Sequence, residues 1–251
     1  MATPVTRVPF ELRQLPVAIG AGLTNRGLVR EKNEDAILTD PAGVLWAVAD
    51  GMGGYGHGDV ASDVVVDCLA AIEDGGEPAE LLDNALILSN DIVRDRGREK
   101  GQGILGATVV ALLIQNAVGN IAWAGDSRAY LMRSGSLRLL TRDHTVVQEL
   151  VESGVLREVD AGHHPESHVV TRAVGGADQL EIDHVTVPLI VGDRLLLCSD
   201  GLTACVYDQT IARALIEEPT PEAVCHFLVN KALDNGAPDN VSVISIFIQE
   251  A

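Results

Sequence analysis

Short apolar runs separated by turn residues recur through the chain and constrain its fold more than any other feature. Aromatic residues make up only 3% of the chain, so Val, Leu, Ile and Ala must build its core. Runs of this length between turn residues are typical of strands. The predicted strands are Val17–Leu23, Asp35–Thr39, Val44–Ala49, Ala107–Ile114, Gly119–Ala124, Arg128–Arg133, Leu137–Thr141, His168–Ala173, Leu180–Val187, Asp193–Ser199 and Val241–Ile248.

Three segments have the pattern of helices instead. Apolar residues at helical spacing predict helices over Val60–Ile72 and from Pro78 to about Arg98. Thr220 has the character of an N-cap before Pro221, and that helix is predicted to stop at Asn235-Gly236. Runs of strands interrupted by helices indicate an α+β fold, an αββα sandwich of two mostly antiparallel sheets flanked by helices.

The domain organisation is predicted to be simple. A chain of 251 residues can bury a substantial core, and no linker-like stretch divides it. We therefore expect a single catalytic domain over residues 1–251, with residues 1–16 as an N-terminal extension. Residues 142–168 are polar, helical at first and then irregular, and we expect them to be more mobile than the strands.

The formal charge of −18 excludes several classes of partner. Its 36 acidic residues would repel nucleic acid and anionic membranes, and no Lys/Arg-rich run offsets them. The longest apolar runs are too short to span a bilayer, and no secretory signal is visible at the N-terminus. We expect a cytoplasmic monomer.

Aspartates stand where several predicted strands end. Asp50, Asp126 and Asp200 each follow an apolar run, and Asp239 stands just before the last one. A single Asp-Gly pair is usually only a turn. A set of acids at strand ends is different, because such ends can converge on one rim and unpaired carboxylates cannot all stay ionised together without cations.

The type of ligand indicates the metal. Oxygen ligands with no nearby cysteine favour Mg²⁺ or Mn²⁺ over zinc. Two such ions could hold a phosphoryl group and activate a water that bridges them. Arg30 precedes the acidic pair Glu34-Asp35 by four residues and is placed to bind a phosphate. An ordinary surface ion pair between Arg30 and Glu34 is the alternative interpretation.

Six short motifs, in this order and spacing, resemble the metal-dependent protein phosphatases (PPM family, type 2C), in the form found in compact bacterial members. The resemblance spans residues 20–248. The motifs are Arg30-x-x-Asn33-Glu34-Asp35, Asp50-Gly51-Met52-Gly53-Gly54, Gly106-Ala107-Thr108, Gly125-Asp126-Ser127-Arg128, Ser199-Asp200-Gly201-Leu202 and Asp239-Asn240-Val241-Ser242-Val243.

The resemblance implies a role for each acid. Asp50 would bridge two metals, with the Gly51 carbonyl on one of them and Asp200 and Asp239 on the other. Asp126 matches a position that, with the equivalent of Asp200, holds a third and weaker ion. Glu34 and Asp35 would act through metal-bound water.

The resemblance also implies the reaction. It would be hydrolysis of phosphoserine and phosphothreonine on proteins by a binuclear Mg²⁺ or Mn²⁺ centre that activates a bridging water, reversing the action of a Ser/Thr kinase. Arg30 would bind the substrate phosphate, and residues 142–168 match a flap beside the active site. A cognate kinase follows only by analogy.

The chain departs from the family pattern at the residue that would protonate the leaving group. Some members have His directly after the first Asp-Gly, where this chain has Met52, and bacterial members often have His where this chain has Tyr55. Metal-bound water or His57 could supply the proton, and this choice stays open. The three histidines within His163–His168 are interpreted as exposed flap residues rather than metal ligands.

Two rival functions remain. A catalytically inactive relative that only binds phosphoproteins would be expected to lose metal aspartates, but Asp50, Asp200 and Asp239 are all present. A phosphatase devoted to one signalling partner, such as an anti-sigma antagonist, usually carries an added sensory domain, for which this length leaves no room.

Overall fold

A computed structural model of the chain describes residues 15–53, 57–73, 75–100, 105–162 and 164–251. Its strands are β1 (Val17–Asn25), β2 (Asp35–Thr39), β3 (Leu45–Gly53), β4 (Leu105–Gln115), β5 (Val118–Ala124), β6 (Arg128–Arg133), β7 (Ser136–Leu139), β8 (Asp183–Pro188), β9 (Arg194–Cys198) and β10 (Val241–Gln249). Its helices are α1 (Gly58–Ala70), α2 (Pro78–Lys100), α3 (Val146–Glu152), α4 (Glu158–Ala161), α5 (Asp200–Thr203), α6 (Asp208–Glu217) and α7 (Pro221–Asp234).

The strands form two five-stranded antiparallel sheets. The first sheet has the order β1-β10-β9-β6-β7, and the second has the order β2-β3-β4-β5-β8. Helices α1 and α2 cover the outer face of the second sheet, while α6 and α7 cover the outer face of the first. The predicted αββα sandwich of the α+β class is confirmed.

The innermost apolar layer lies between the two sheets. It contains the fully buried side chains of Trp46, Leu112 and Ile121 from the second sheet and of Leu195 and Ile244 from the first. Two further apolar clusters lie beneath the helices. Because central strands such as β4 are buried on both faces, their sequences are continuously apolar rather than alternating.

Most predicted elements are present with small shifts at their ends. Strands β2 and β6 have the predicted bounds. Helix α7 begins at Pro221, and the Thr220 hydroxyl accepts a hydrogen bond from the backbone N–H of Ala223 at 3.2 Å. The Thr-Pro pair predicted this arrangement. The hydroxyl accepts a hydrogen bond from a backbone N–H of the first turn that has no acceptor within the helix.

Two strand predictions were wrong in part. His168–Ala173 is not a strand, because its backbone makes only single bridges, from Val170 to Thr145 and, next in the chain, from Val174 to Ala107. The strand predicted from Leu180 begins only at Asp183. Apolar content alone could not reveal this, since a strand also needs a neighbour to pair with.

Two further differences from the prediction are the end of β3 and the presence of helix α6. The strand predicted to stop at Ala49 continues through Asp50 to Gly53, because β4 pairs with it along its whole length. No prediction above covers helix α6, which follows Tyr207 without a side-chain cap. Its apolar face is short, and the helix forms because that face packs on the first sheet.

The two ends of the sandwich differ in how the chain turns. At one end, which we call the crossover rim, residues 26–34 connect β1 to β2 and residues 125–127 connect β5 to β6, so both links pass from one sheet to the other. At the opposite end, which we call the hairpin rim, the links β2–β3, β4–β5 and β6–β7 stay within one sheet, while residues 189–193 carry β8 of the second sheet over to β9 of the first.

Candidate metal and phosphate site

The crossover rim gathers the five aspartates singled out in the sequence. Asp35 opens β2 and stands directly opposite Asp50 of β3 in the antiparallel ladder. Asp126 lies in the link between the sheets, Asp200 begins α5 after β9, and Asp239 precedes β10. Strand ends from both sheets therefore converge, as the sequence predicted, although Asp50 lies within a strand rather than after one.

These residues surround an open cleft of about 810 Å³. Arg30, Glu34, Asp50, Gly51, Asp126, Asp200 and Asp239 all line it, together with Val29, Met52, Gly53, Thr108, His168, Val170, Ala204, Pro238 and Asn240. Asp35 is the one predicted site residue that stands behind the wall of the cleft rather than in it.

Asp35 is buried and held by two serines. Its Oδ2 accepts hydrogen bonds from the hydroxyl of Ser199, which directly follows β9, at 2.9 Å and from that of Ser242 on β10 at 2.6 Å. Its Oδ1 is buried without a hydrogen-bond partner. Burial raises the pKa of Asp35 to about 7, opposed by the two serines and helped by the charges of Asp200 and Asp239. The ionised form of this carboxyl is therefore unfavourable unless a cation lies nearby.

Asp50 and Asp200 are held close together by the two sheets. Burial, followed by the charges of neighbouring aspartates, raises the pKa of Asp50 well above its usual range. Burial and then the charge of Asp239 raise the pKa of Asp200 as well. The charge of Asp200 also contributes to the raised pKa of Asp50, and the buried Oδ1 of Asp200 has no hydrogen-bond partner.

Asp126 is fixed in the cleft by a sharp turn. Gly125 before it has a φ of +116°, and a Cβ there would overlap the side chain of Thr108. The hydroxyl of Ser127, which follows Asp126, is hydrogen-bonded to the hydroxyl of Thr108 on β4 at 2.8 Å. Burial, followed by the charges of Asp200 and Asp143, raises the pKa of Asp126 to about 7.

Arg30 pairs with Asp239 rather than with Glu34. Its Nη2 donates to Asp239 Oδ2 at 2.6 Å, and about half of its side chain is exposed to the cleft. Asp239 Oδ1 also accepts a hydrogen bond from the backbone N–H of Asn240 at 2.8 Å. The alternative interpretation, an ion pair between Arg30 and Glu34, is not what the structure contains.

Asn240 organises the link that carries Arg30. Its amide donates to the carbonyls of Arg26 and Lys32 at 2.9 Å, and its Oδ1 accepts from the backbone N–H of Glu34 at 2.8 Å. One buried side chain therefore fixes three points of residues 26–34. Asn240 lies within one of the sequence motifs, but this role could not be predicted, because a local pattern does not show which backbone groups an amide will reach.

Glu34 connects the same link to the start of α1. Its Oε1 accepts from the backbone N–H of Gly58 at 2.9 Å, and its carbonyl accepts from Gly51 N–H at 3.0 Å and from the Ser62 hydroxyl at 2.6 Å. A Cβ at Gly51 would overlap the carbonyls of Gly58 and Glu34. Glycine is required here because three backbone segments meet.

The residues of this rim fit divalent cations in their chemistry. The donors are carboxylates and a backbone carbonyl, the oxygen ligands that Mg²⁺ and Mn²⁺ prefer. The raised pKa values of Asp50 and Asp200, and two buried carboxylate oxygens without partners, on Asp35 and Asp200, indicate missing positive charge.

The same side chains do not yet form a closed cage. Within the part of the chain that the structure describes, no group of three or more His, Cys, Asp or Glu side chains stands in a geometry that could hold a metal ion. The ion pair of Asp239 with Arg30 contributes to this, because it uses a carboxylate oxygen that a cation would otherwise take.

The histidines near the cleft differ from expectation. His57 immediately precedes α1 and, within the described residues, is not among those that line the cleft, whereas the exposed His168 is. Tyr55 and His163 lie outside the described residues. Met52 lines the cleft and has no proton to donate.

The predicted flap leaves from the crossover rim. Within residues 142–168, α3 and α4 form short helices, and His168 and the adjoining Val170 face the cleft. The predicted mobility of this segment stays a prediction. Separately, none of the helices in the described ranges combines the length and the apolar character needed to cross a membrane.

Comparison with known proteins gives a consistent result. The sequence model of the family "Protein phosphatase 2C" matches residues 26–222. The serine/threonine protein phosphatase PstP of Mycobacterium tuberculosis is 38% identical over 228 residues, which are 89% of this chain and 44% of that protein. The serine/threonine phosphatase stp of Listeria monocytogenes is 34% identical over 234 residues, covering 89% of this chain and 93% of the relative.

A solved structure extends the comparison to the fold. The crystal structure of the PstP catalytic domain in complex with two manganese ions superposes with a TM-score of 0.86 and 35% sequence identity. The match covers 93% of this chain and 99% of that one. This chain thus spans less than half of the full M. tuberculosis relative but nearly all of the catalytic domain in the crystal.

Proposed function

This chain belongs to the protein phosphatase 2C family, and from that membership we propose that it is a metal-dependent phosphatase acting on phosphoserine and phosphothreonine in other proteins. The observation that carries the proposal is the gathering of Asp50, Asp126, Asp200 and Asp239 beside Arg30 in one cleft. Carboxylates alone would repel a phosphate, so the arrangement makes chemical sense only with cations bound.

The proposed metal ligands are the groups that the cleft exposes. Asp50 would serve both ions, the Gly51 carbonyl one of them, and Asp200 and Asp239 the other. Two Mg²⁺ or Mn²⁺ ions, when bound, would neutralise the carboxylates, polarise the phosphoryl oxygens and activate a bridging water as the nucleophile. Asp126 would contribute, with Asp200, to a weaker third site.

Glu34 and Asp35 would support this centre from behind. Glu34 holds the start of α1 and the Gly51 segment in place through its carbonyl and its carboxylate. Asp35 is anchored by Ser199 and Ser242 and leaves one oxygen without a partner. Glu34 lines the cleft and would orient water bound there, whereas Asp35 would act from behind the wall through its unpaired oxygen, the role that partners of metal ligands commonly have.

Arg30 would orient the substrate. Its guanidinium lies at the mouth of the cleft, and its planar fork can bind two phosphate oxygens at once. Asp239 now holds this group, and a cation at Asp239 would release it, because the carboxylate charge would then be neutralised. The predicted phosphate role of Arg30 is consistent with this position.

The substrate would be a phosphorylated protein, and the kinase that makes it is proposed only by analogy with other phosphatases. An inactive phosphoprotein-binding relative is less consistent with the site, since Asp50, Asp200 and Asp239 are all present and face the cleft. A protein that only bound phosphate would not need a cluster of carboxylates at that place.

The proposal is tested by turnover of a phosphothreonine peptide and of para-nitrophenyl phosphate. We expect hydrolysis with Mn²⁺ or Mg²⁺, complete loss after exhaustive treatment with EDTA, and recovery when either metal is returned. Asp50→Asn should abolish turnover, because one oxygen of a bridging carboxylate becomes an amide nitrogen that cannot bind a cation.

Asp67→Asn provides the matched control, because Asp67 is exposed on α1 away from the cleft. It removes the same charge and should leave turnover unchanged. Turnover that survives chelation would exclude the metal mechanism. Mn²⁺ binding without any turnover of either substrate would favour the inactive phosphoprotein-binding alternative.

A further inference from the structure

His144 is a buried histidine that no motif above includes, and it is bonded twice to Gly125. Its backbone N–H donates to the Gly125 carbonyl at 2.9 Å, and its ring Nδ1 accepts from the Gly125 N–H at 3.1 Å. Only 6% of its surface is exposed. The two peptide groups that flank Gly125 are therefore held by one residue, immediately before Asp126.

The ring can hold Gly125 only in one protonation state. Because Nδ1 accepts a hydrogen bond, it carries no proton, so the ring proton is on Nε2 and is donated to Asp183 Oδ2 at 3.2 Å. Arg172 approaches the same nitrogen and pairs with Asp183 Oδ1 at 2.9 Å. Burial lowers the pKa of His144, which keeps the ring neutral.

Packing fixes the ring plane as well. Trp123 of β5 stacks on the His144 ring with their centres 6.0 Å apart and their planes 13° from parallel. The indole Nε1 of Trp123 donates to the Arg142 carbonyl at 2.8 Å, so the segment that leads to His144 is tied to the same strand. A ring held by stacking and by two hydrogen bonds has little freedom to rotate.

The same residue holds the far end of the flap. The His144 carbonyl accepts from the Thr171 N–H at 2.8 Å, and Thr145 forms a bridge with Val170, which lines the cleft. The two ends of the flap therefore meet at His144, directly beside the turn that carries Asp126.

We propose that His144 is a positioning residue that holds Asp126 in the cleft through Gly125 and sets the base of the flap relative to it. This rests on the proposed function, since it assigns His144 to the weaker metal site at Asp126. The ring and backbone N–H of His144 form hydrogen bonds with the peptide groups of Gly125 and with Asp183, so the residue acts through the backbone before Asp126.

Two substitutions separate the two ring nitrogens. In His144→Asn the amide oxygen can stand near the place of Nδ1 and accept from Gly125, whereas in His144→Gln the longer side chain reaches toward Asp183 and leaves Gly125 N–H without its acceptor. A positioning role predicts that Asn retains function and Gln loses it. A merely structural role predicts that both variants lose stability and activity together.

The first measurement needs no activity. In the metal-free protein we expect amide hydrogen exchange at Gly125 to be at least about tenfold faster in His144→Gln than in the parent chain, and close to the parent rate in His144→Asn. The second is Mn²⁺ titration, where His144→Gln should weaken the lowest-affinity site by about tenfold, as loss of a partner behind a metal site commonly does. Asp126→Asn gives the reference for complete loss of that site.

The third measurement separates kcat from KM. His144→Gln should lower kcat by about tenfold and leave KM for the phosphopeptide nearly unchanged, because Arg30 and the other cleft residues stay in place. His184→Gln is the matched control. His184 lies on β8 away from the cleft, and its ring Nε2 contacts a carboxylate, Asp83 Oδ1, at 2.8 Å, as the His144 ring contacts Asp183. The substitution should change none of the three readouts.

Equal behaviour of the Asn and Gln variants, or unchanged Gly125 exchange and Mn²⁺ binding in His144→Gln, would overturn the proposal. Should His144→Asn fail to fold, Asp183→Ala gives a second test with the ring retained. Without the acceptor for Nε2–H, Gly125 exchange should rise, and an unchanged rate would equally overturn the proposal. A parent chain that binds Mn²⁺ but never turns over phosphopeptide would refute the proposed function instead, because exchange and binding are measured without turnover.

Discussion

The crossover rim and the hairpin rim are built from the same strands but are held in different ways. At the hairpin rim, the β4–β5 link is a two-residue turn, Asn116-Ala117, and the β6–β7 link is another, Ser134-Gly135, all with positive φ. Each turn is closed by the ladder on either side of it. At the crossover rim, Asn240 instead bonds to backbone groups 206 to 214 positions away in the sequence.

This difference shows where function can be placed on such a sandwich. A hairpin turn joins two strands that are already paired, so it needs few partners from the rest of the chain. The links of the crossover rim join strands from different sheets, and they recruit distant side chains such as Asn240 and His144 to complete their hydrogen bonds. The same crossing brings strand ends from both sheets together, which places carboxylates close enough to need cations.

The largest effect is expected from breaking the long-range bonds of the crossover rim. Asn240→Ala removes three hydrogen bonds from a buried side chain and leaves two carbonyls and one N–H without partners. We expect the free energy of unfolding to fall by about 3 kcal/mol, at roughly 1 kcal/mol for each bond. Urea unfolding in EDTA measures this without a contribution from bound metal.

Asn120→Ala is the matched control near the hairpin rim. Asn120 also makes three contacts, but they are 3.3 to 3.4 Å long, and all of them reach its own strand or a strand paired with it. The loss should stay below about 1 kcal/mol. Equal losses in the two variants would remove the proposed distinction between the rims.

A smaller effect in free energy, but a specific one, is expected at Arg30. Arg30→Ala should lower kcat/KM for a phosphopeptide by roughly ten- to a hundredfold, since a charge-assisted hydrogen bond contributes on the order of 1.5–3 kcal/mol. Arg30→Lys should recover only part of this, because an ammonium keeps the charge but not the planar fork. Mn²⁺ affinity and unfolding should change little in either variant.

Arg26→Ala is the control on the same link, because Arg26 is not among the residues lining the cleft and donates to the Glu31 carbonyl at 3.3 Å. It should leave kcat/KM close to that of the parent chain. An unchanged kcat/KM in Arg30→Ala would mean that Arg30 only pairs with Asp239 and does not bind phosphate.

The smallest effect is expected at the hairpin rim. Ala117 has a φ of +58°, a conformation that costs a residue with a Cβ about 1 kcal/mol or more. Ala117→Gly would turn the link into an Asn-Gly turn, which suits two positive φ angles. We expect the protein to gain about 0.5–1 kcal/mol of stability without a change in kcat, measured by urea unfolding and phosphopeptide turnover.

Ala42→Gly is the control in the β2–β3 turn, where Ala42 has no positive φ. Glycine there should cost a few tenths of a kcal/mol or more, because it only adds freedom to the unfolded chain. Stabilisation by both substitutions would show that backbone strain at Ala117 is not the cause.

Much of the fold could be predicted from the sequence because buried segments contain runs of apolar residues. Strands such as β2 and β6 were placed correctly, since apolar runs between turn residues report which segments are covered. The segment His168–Ala173 is also rich in apolar residues but is not a strand, because it lies beside the short segment around Thr145 rather than beside a strand. Helix α6 was missed because its ends carry no strong signal.

The candidate site could also be predicted only in part. The sequence contained the residue types, and Asp50, Asp126, Asp200 and Asp239 do line one cleft with Arg30. It did not show that Asp50 lies within β3 opposite Asp35, or that Asp35 is buried behind the wall.

By itself, then, the sequence determined which segments are buried, where most strands lie and which side chains have the chemistry to bind cations and phosphate. Only the tertiary structure decided their partners. Arg30 pairs with Asp239, 209 positions away, and His144 reaches back to Gly125. Periodicity reports the average environment of a residue, whereas a hydrogen bond depends on the position of one atom to within a few tenths of an ångström. That position is set by how the two sheets pack against each other.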